Sequence, residues 1–210
     1  FTRGEKTMIC DMDELYARPI VNDRAYTQEE IWDSFKYFLD RALPVCQEAD
    51  VRLALHPNDP PVPSVCGVPS LIWNTGSYKR AFELAGNSPY LGMKMCIGCW
   101  LESREFGDLM EDIRTFTEQG KILIVHFRNV SSTMPYFEET LLEDGYADMH
   151  AILEQLVRCG YDGQLNIDHS FFNPDGKGMS KVSEAYLLGY LKGMLSSAER
   201  QIQKEGGKKA

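Results

Sequence analysis

The chain has 210 residues, with 22 basic and 31 acidic side chains, a formal net charge of −9 and a pI near 5.0. A deficit of Lys and Arg argues against a nucleic-acid or anionic-membrane binder, because both partners are recognised by excess positive charge. Hydrophobic content of 43% and aromatic content of 11% are enough for a packed core and exclude disorder as the main state. No run of about 18 apolar residues is present to span a bilayer.

One domain is expected over residues 1–205, with a frayed tail at 206–210. The segment Phe1 to Lys6 lacks an apolar signal-peptide core, which predicts a cytoplasmic protein. Of the six cysteines, Cys10, Cys46, Cys66 and Cys159 are scattered singly, and Cys96 and Cys99 form one C-x-x-C. A disulfide framework is the weaker reading for a chain this long, so a reducing compartment and core-filling cysteines are expected.

In chain order, Ile31, Phe35, Phe38, Leu39 and Ala42 recur at helical spacing and predict a helix over 28–49 that Pro44 disturbs or ends. Val51 to Leu55 reads as a strand and 62–74 as a Pro-, Ser- and Gly-bearing loop. Thr75 to Leu84 reads as a helix ending near Gly86, and Tyr90 to Met95 as a strand. Arg104 to Gln119 is expected to be a helix closed by Gly120, and Lys121 to Val125 a strand. Tyr146, Met149, Ile152, Leu153, Leu156 and Val157 mark a helix with Asp144 before it and Gly160 after it. Leu165 to Ile167 is a strand and roughly 182–203 a final helix.

Strands alternating with helices imply a parallel sheet, either doubly wound or a (β/α)₈ barrel. Side-chain alternation separates the two. Counting back by twos from the polar strand ends, one parity holds Arg52, Ala54 and His56; Gly92, Lys94 and Cys96; Ile122, Ile124 and His126; and Gln164, Asn166 and Asp168. The other holds Leu53, Leu55, Met93, Met95, Leu123, Val125, Leu165 and Ile167, all apolar. A doubly wound sheet is covered on both faces and needs both apolar, whereas a barrel has one helix-covered face and an interior with a polar mouth. The expected fold is therefore an α/β parallel barrel of the TIM type. Residues 51–203 supply only four strand–helix units of the eight a barrel needs, so the last four βα units are expected.

His56, Cys96, His126, Asp168 and His169 all fall at or just past strand C-termini, where barrels bind substrates. Imidazole, thiolate and carboxylate are metal-ligand types, and this mixed set allows Zn²⁺, Mn²⁺, Fe²⁺ or Co²⁺. His150, in a polar stretch of helix, is expected to be solvated. Cys96-Ile97-Gly98-Cys99 sits at a strand-to-helix turn, as redox sites do, but has no second C-x-x-C for a zinc ribbon and no Gly-Pro between its cysteines. Cys96 is accordingly assigned to the mouth, with Cys99 its neighbour.

The segment A-L-H-P-N-D-P-P at 54–61 resembles the A-L-H-P-D-D-P-P motif of the mannonate dehydratase family, enzymes that remove water from D-mannonate to give 2-dehydro-3-deoxy-gluconate. C-I-G-C at 96–99, V-H-F-R-N-V at 125–130, F-E-E with a following D-G-Y-A-D-M at 137–149, and D-H at 168–169 follow in the family's order, so the resemblance runs from about residue 14 to 195. It implies a xylose-isomerase-like barrel about twice as long as this chain. It also implies a divalent ion, commonly Mn²⁺ with Fe²⁺, Co²⁺ or Mg²⁺ as alternatives, held by His56, Cys96, His126 and Asp168, and a catalytic His169.

The chain departs from the family pattern at Asn58 (usually Asp), at Cys99 (usually Ser), and at a Gly-Tyr pair before the last helix. Here that loop reads Gly176-Lys177-Gly178-Met179-Ser180, and the next tyrosine is Tyr186. Arg128 and Asn129 are expected to grip the carboxylate or hydroxyls of a sugar acid. Pro57, Pro60 and Pro61 stiffen the His56 loop, and Asp59 caps or braces it. The expected partner is a small sugar acid, with no nucleic acid and no membrane, and self-association into a homo-oligomer is left open. Two rival readings stand beside dehydration: a metal-dependent sugar isomerase or epimerase on the same kind of barrel, and an inactive, truncated relative.

Overall fold

The computed structural model describes residues 4–173 and 175–206. In chain order its elements are β1 (Ile9–Asp11), α1 (Met12–Tyr16), α2 (Gln28–Ala49), β2 (Leu53–Leu55), β3 (Ser64–Val65), β4 (Val68–Pro69), α3 (Thr75–Leu84) and β5 (Leu91–Cys96). There follow α4 (Ile97–Glu102), α5 (Leu109–Glu118), β6 (Ile122–Phe127), β7 (Asn129–Val130), β8 (Tyr136–Thr140), α6 (Met149–Arg158), β9 (Gln164–Ile167) and α7 (Lys181–Gly206). Residues 207–210 of the expected tail lie outside the described residues. No described helix is long and apolar enough to cross a membrane.

The central sheet has the order β2-β5-β6-β9, with every pair parallel. Strands adjacent in sequence are adjacent in space, with no reversal of order. A doubly wound sheet contains such a reversal and a barrel wall does not. Four of a barrel's eight strands are thus present among the described residues, leaving β2 and β9 as the sheet edges.

In the two central strands burial partly follows the alternation read from the sequence: Met93, Met95, Val125 and Phe127 lie buried on the helix side, while Lys94 and Ile124 on the inner side are half-buried and Cys96 at the inner strand end is buried. In the edge strands β2 and β9, Leu53, Leu55, Leu165 and Ile167 on the helix side are half-buried, like Ala54 and Asn166 on the inner side. One bulge corrects that reading. Met93 pairs with Ile122 and Lys94 with Ile124, so Leu123 is an extra residue in β6. Ile122 joins the buried core, and Leu123 lies against Gly92, where an added Cβ would come within 2.6 Å of its Cγ.

Several helix boundaries also differ from the sequence reading. Pro44 neither ends nor divides α2, which starts on a Thr27–Glu30 capping box and closes on a left-handed Asp50. Leu39 before the proline and Cys46 after it are both buried, so packing holds the helix across the lost backbone donor. The helix expected over 104–119 starts later, as α5 capped by Asp108, and a separate unexpected helix, α4, precedes it, so Cys96 to Cys99 spans the end of β5 and the first turn of α4. The cap of α6 is Asp148, whose carboxylate accepts from the Ala151 N–H, rather than Asp144. Tyr146 precedes that helix and donates its hydroxyl to the Leu101 carbonyl at 2.6 Å.

A second, antiparallel sheet of order β1-β8-β7 departs from the sequence reading, because its strands are short and lie inside loops. It stitches the N-terminal segment across the strand ends: the Glu139 N–H donates to the Met8 carbonyl, the Met12 N–H to that of Pro135 and the Phe172 N–H to that of Lys6. The hairpin of β3 and β4 occupies the stretch expected to be wholly loop.

Beneath the sheet, Tyr78, Phe82, Trp100, Phe106 and Phe116 form one aromatic cluster. Its polar tips are satisfied: Tyr78 donates to the Leu55 carbonyl at 3.0 Å, and the Trp100 indole N–H donates to Asp112 Oδ2 at 2.9 Å. The Thr75 hydroxyl donates to the same Asp112 oxygen, tying α3 to α5. Asp112→Ala is expected to cost about 1–3 kcal/mol by leaving the buried Trp100 indole N–H and the half-buried Thr75 hydroxyl without an acceptor. A denaturant melt checks this; a loss within about 0.5 kcal/mol, the range of a neutral surface change, would contradict it.

Candidate metal centre

Each donor is delivered by the end of one parallel strand. His56 follows β2, Cys96 closes β5, His126 lies in β6 directly opposite Cys96, and Asp168 follows β9. One ligand atom from each of the four lies within 4.8 Å of the others. The His56 and His126 rings meet edge-on with centroids 5.3 Å apart. The His56 Nδ1–H donates to the Pro57 carbonyl at 2.7 Å, which fixes the tautomer and leaves Nε2 as a lone-pair donor. His126 Nδ1 is buried 3.2 Å from Asp168 Oδ1, without the alignment of a hydrogen bond.

The electrostatics suit a cation. Burial would raise the Cys96 thiol, but a hydrogen bond from Cys99, the Arg128 guanidinium and the two histidines bring it well below its ordinary value. Burial likewise opposes charge on His126, yet Asp168 and the Cys96 sulfur raise it to about 9. Asp168 is held below its ordinary value, chiefly by His126 against the cost of its own burial. A thiolate and a carboxylate beside two imidazoles leave net negative charge, which a proton on His126 offsets in part. The residues therefore fit a divalent cation with borderline N, S and O donors.

Cys99 belongs to this arrangement as a donor. Burial and the Cys96 sulfur beside it push its thiol well up, so it stays protonated and points its S–H at Cys96.

Arg128 corrects the sequence reading. Expected to grip substrate, it is only 2% exposed and is engaged from all sides. Its Nη2 meets Asp59 Oδ2 at 2.6 Å and also Glu102, its Nη1 meets Glu139 Oε1 at 2.6 Å, and its Nε lies 3.1 Å from Asp168 Oδ2. Buried and held by carboxylates at both Nη nitrogens, the guanidinium is set beneath the cluster and braces it. Asn129 is corrected likewise. It is fully buried, donates to the Leu142 and Ala147 carbonyls and accepts from the Val130 N–H, which latches the loop at 142–147 rather than binding a substrate.

His169 stands beside the cluster, half-buried, with Nε2 3.9 Å from Asp168 Oδ1 and Nδ1 2.8 Å from Glu139 Oε1. Burial lowers its pKa, but the Glu139 contact outweighs this and the net direction is upward. A cavity of about 250 Å³ opens against it, lined by Asp59, Glu139 and His169 on one side and by Cys10, Asp11 and Arg18 of the N-terminal segment on the other.

Sequence reasoning alone misses Glu102 and Glu139. Glu102 ends the apolar run Ile97 to Leu101, and a carboxylate at the end of such a run needs a buried partner, which is the one sequence signal for it. Burial pushes it well above its ordinary value. Asp59 braces the His56 loop, as expected, and does so through Arg128. Asn58 pins the same loop, its side-chain oxygen accepting from the Ile72 N–H at 3.0 Å. His150 lies on the outer side of α6, 3.7 Å from Glu154, away from the cluster. Tyr186 is inside α7 and donates its hydroxyl to Glu143.

Gly98 explains the C-x-G-x spacing: a Cβ there would lie 2.3 Å from Arg128 Cζ. Gly98→Ala is expected to cost about 1–3 kcal/mol by overpacking and to weaken metal retention, because the guanidinium supporting Asp168 must move. Gly189→Ala, with nothing within 4 Å of its Cβ, serves as the neutral control. Parallel melts and metal analyses check both, and equal behaviour of the two variants would contradict the bracing role.

Comparison with known proteins bears on this arrangement. The family model described as D-mannonate dehydratase (UxuA) matches residues 12–205. Mannonate dehydratase 2 of Halalkalibacterium halodurans is 38% identical over 146 residues, covering 68% of this chain and 41% of that protein. Mannonate dehydratase of Enterococcus faecalis is 33% identical over 179 residues, covering 82% and 49%. The crystal structure of mannonate dehydratase from Streptococcus suis serotype 2 superposes with a TM-score of 0.86 at 25% identity, over 97% of this chain and 60% of that one. A xylose isomerase domain protein from Alicyclobacillus acidocaldarius shares the fold, with a TM-score of 0.61 at 17% identity over 83% of this chain and 62% of that one. The chain thus spans about two fifths to one half of the curated relatives it matches. The sequential parallel strands, the four converging donors and the match over nearly the whole chain agree: this chain belongs to the D-mannonate dehydratase family.

Proposed function

We propose that this chain carries the metal-holding half of an enzyme that dehydrates a sugar acid, D-mannonate to 2-dehydro-3-deoxy-D-gluconate in type, in hexuronate catabolism. The single observation that carries the reading is the convergence of His56, Cys96, His126 and Asp168 within 4.8 Å, with His169 beside them. Mn²⁺ is the cation we favour, and the cytoplasm the compartment, in keeping with free cysteines and a sugar-acid substrate.

The reaction removes a proton from the carbon next to a carboxylate and expels a hydroxyl from the carbon beyond. When bound, the divalent ion supplies Lewis-acid stabilisation of the negative charge that this creates. The chain's own residues do the rest. His56, Cys96, His126 and Asp168 would hold the ion. Arg128 keeps Asp168 and the His56 loop in place. His169 moves a proton at Nε2, the nitrogen on the cluster side. The segment carrying β1 and α1 covers the cavity at His169 and shields it from bulk water. Dehydration is favoured over isomerisation because the relatives matched over most of this chain are dehydratases, whereas the isomerase-like neighbour shares only the fold.

Three variants of the full-length protein test this at fixed Mn²⁺, scored by bound metal and keto-acid formation. His126→Ala is expected to lose metal and activity together. His169→Ala should keep its metal and lose about 10²–10⁴-fold in turnover, the usual contribution of a general acid–base group. Cys99→Ser should stay active, since a hydroxyl can also donate to the Cys96 sulfur. Near-full turnover in His169→Ala together with a dead Cys99→Ser would overturn these roles.

A further inference from the structure

His169 can move a proton at Nε2 only if its ring is held with that nitrogen toward the cluster and its other nitrogen occupied. Glu139 occupies it. Its Oε1 lies 2.8 Å from His169 Nδ1 and 2.6 Å from Arg128 Nη1, so one oxygen receives both donors. Its Oε2 is buried with no hydrogen-bond partner among the described residues, and the residue lines the 250 Å³ cavity at His169. The backbone that carries it is fixed on both sides of the residue: the Glu139 N–H donates to the Met8 carbonyl, and its own carbonyl accepts from the Thr7 hydroxyl at 3.0 Å. At 4% exposure, Glu139 has no room to swing toward solvent.

We propose that Glu139 is the positioning residue of His169. It accepts the Nδ1–H bond, fixes the imidazole in the Nδ1–H tautomer, and leaves Nε2 as the nitrogen that exchanges a proton with the substrate. This rests on the dehydratase reading and adds to it the group that orients the proton carrier. In the step itself the substrate C–H bond breaks and an Nε2–H bond forms. The electron pair left on carbon forms the new C=C bond as the β-hydroxyl departs. The proton then passes to that hydroxyl, directly or through solvent, so one water is lost and the ring returns to its starting state. The imidazolium present in between keeps its Nδ1–H on the Glu139 carboxylate, as in other histidine–carboxylate pairs.

Glu139→Gln and Glu139→Ala in the full-length protein distinguish positioning from a purely structural role through Arg128. In Glu139→Gln the amide oxygen can occupy the Oε1 position and accept from both donors, with its NH₂ at the free Oε2 position. The ¹⁵N spectrum of the histidines in zinc-loaded protein, with His169→Ala used for assignment, is expected to show the Nδ1–H tautomer for wild type and Glu139→Gln and its loss in Glu139→Ala. The kcat of Glu139→Ala, expressed per bound metal, should fall about 10²-fold or more with KM unchanged, and Glu139→Gln should recover most of it. An Nε2–H tautomer in wild type or Glu139→Gln, an unchanged tautomer in Glu139→Ala, or kcat losses that follow lost metal in both variants would overturn the proposal. The tautomer measurement needs no turnover, so it judges Glu139 even if the substrate class is wrong. Should Glu139→Ala fail to fold, the tautomer and kcat of Glu139→Gln still decide.

Discussion

Arg128 is the point on which the rest of the molecule depends. A guanidinium at 2% exposure would be very costly alone, and it is tolerated because carboxylates from four separate segments close on it: Asp59, Glu102, Glu139 and Asp168. These come from the His56 loop, the end of α4, β8 and the turn after β9. One side chain at the end of β6 therefore ties together every segment that builds the mouth. Breaking such a buried ion pair typically costs about 3–5 kcal/mol. The arrangement also requires the small residue at Gly98 and the short antiparallel sheet that brings Glu139 into reach.

The same cluster explains why the site favours a cation. A single guanidinium faces more negative groups than it can neutralise once the Cys96 thiolate is included. The excess shows at His126, which Asp168 and the Cys96 sulfur raise against the cost of its burial; Glu102 is pushed toward its neutral form first by burial, with the neighbouring acidic groups adding to it. A divalent ion bound by His56, Cys96, His126 and Asp168 would relieve the same imbalance, so binding of metal and stability of the mouth are coupled.

What is legible in the sequence is what repeats. Alternation along the strands separates the inner from the helix-covered face, and it puts His56, Cys96, His126 and Asp168 together on the inner side. It fails where the repeat is locally broken, at the Leu123 bulge, and where elements are too short to show a period, as in β1, β7 and β8. Arg128 and Asn129 are misread for a different reason. A polar residue just past a strand end can face the mouth or lie beneath it, and the difference depends on long-range partners such as Glu102 and Glu139 that local pattern does not reveal. The motif resemblance points to the same four residues without showing this support. Cys99 is recognisable as a neighbour of Cys96, but its service as a thiol donor depends on the helical first turn of α4.

X-ray absorption on zinc-loaded protein tests the central claim, that this mixed-donor cluster holds the metal, most directly. The account predicts one sulfur at about 2.3 Å and nitrogen or oxygen neighbours at about 2.0–2.2 Å, with the sulfur shell lost in Cys96→Ser. A coordination shell of nitrogen and oxygen alone in the wild-type protein, or a sulfur shell that survives Cys96→Ser, would contradict it.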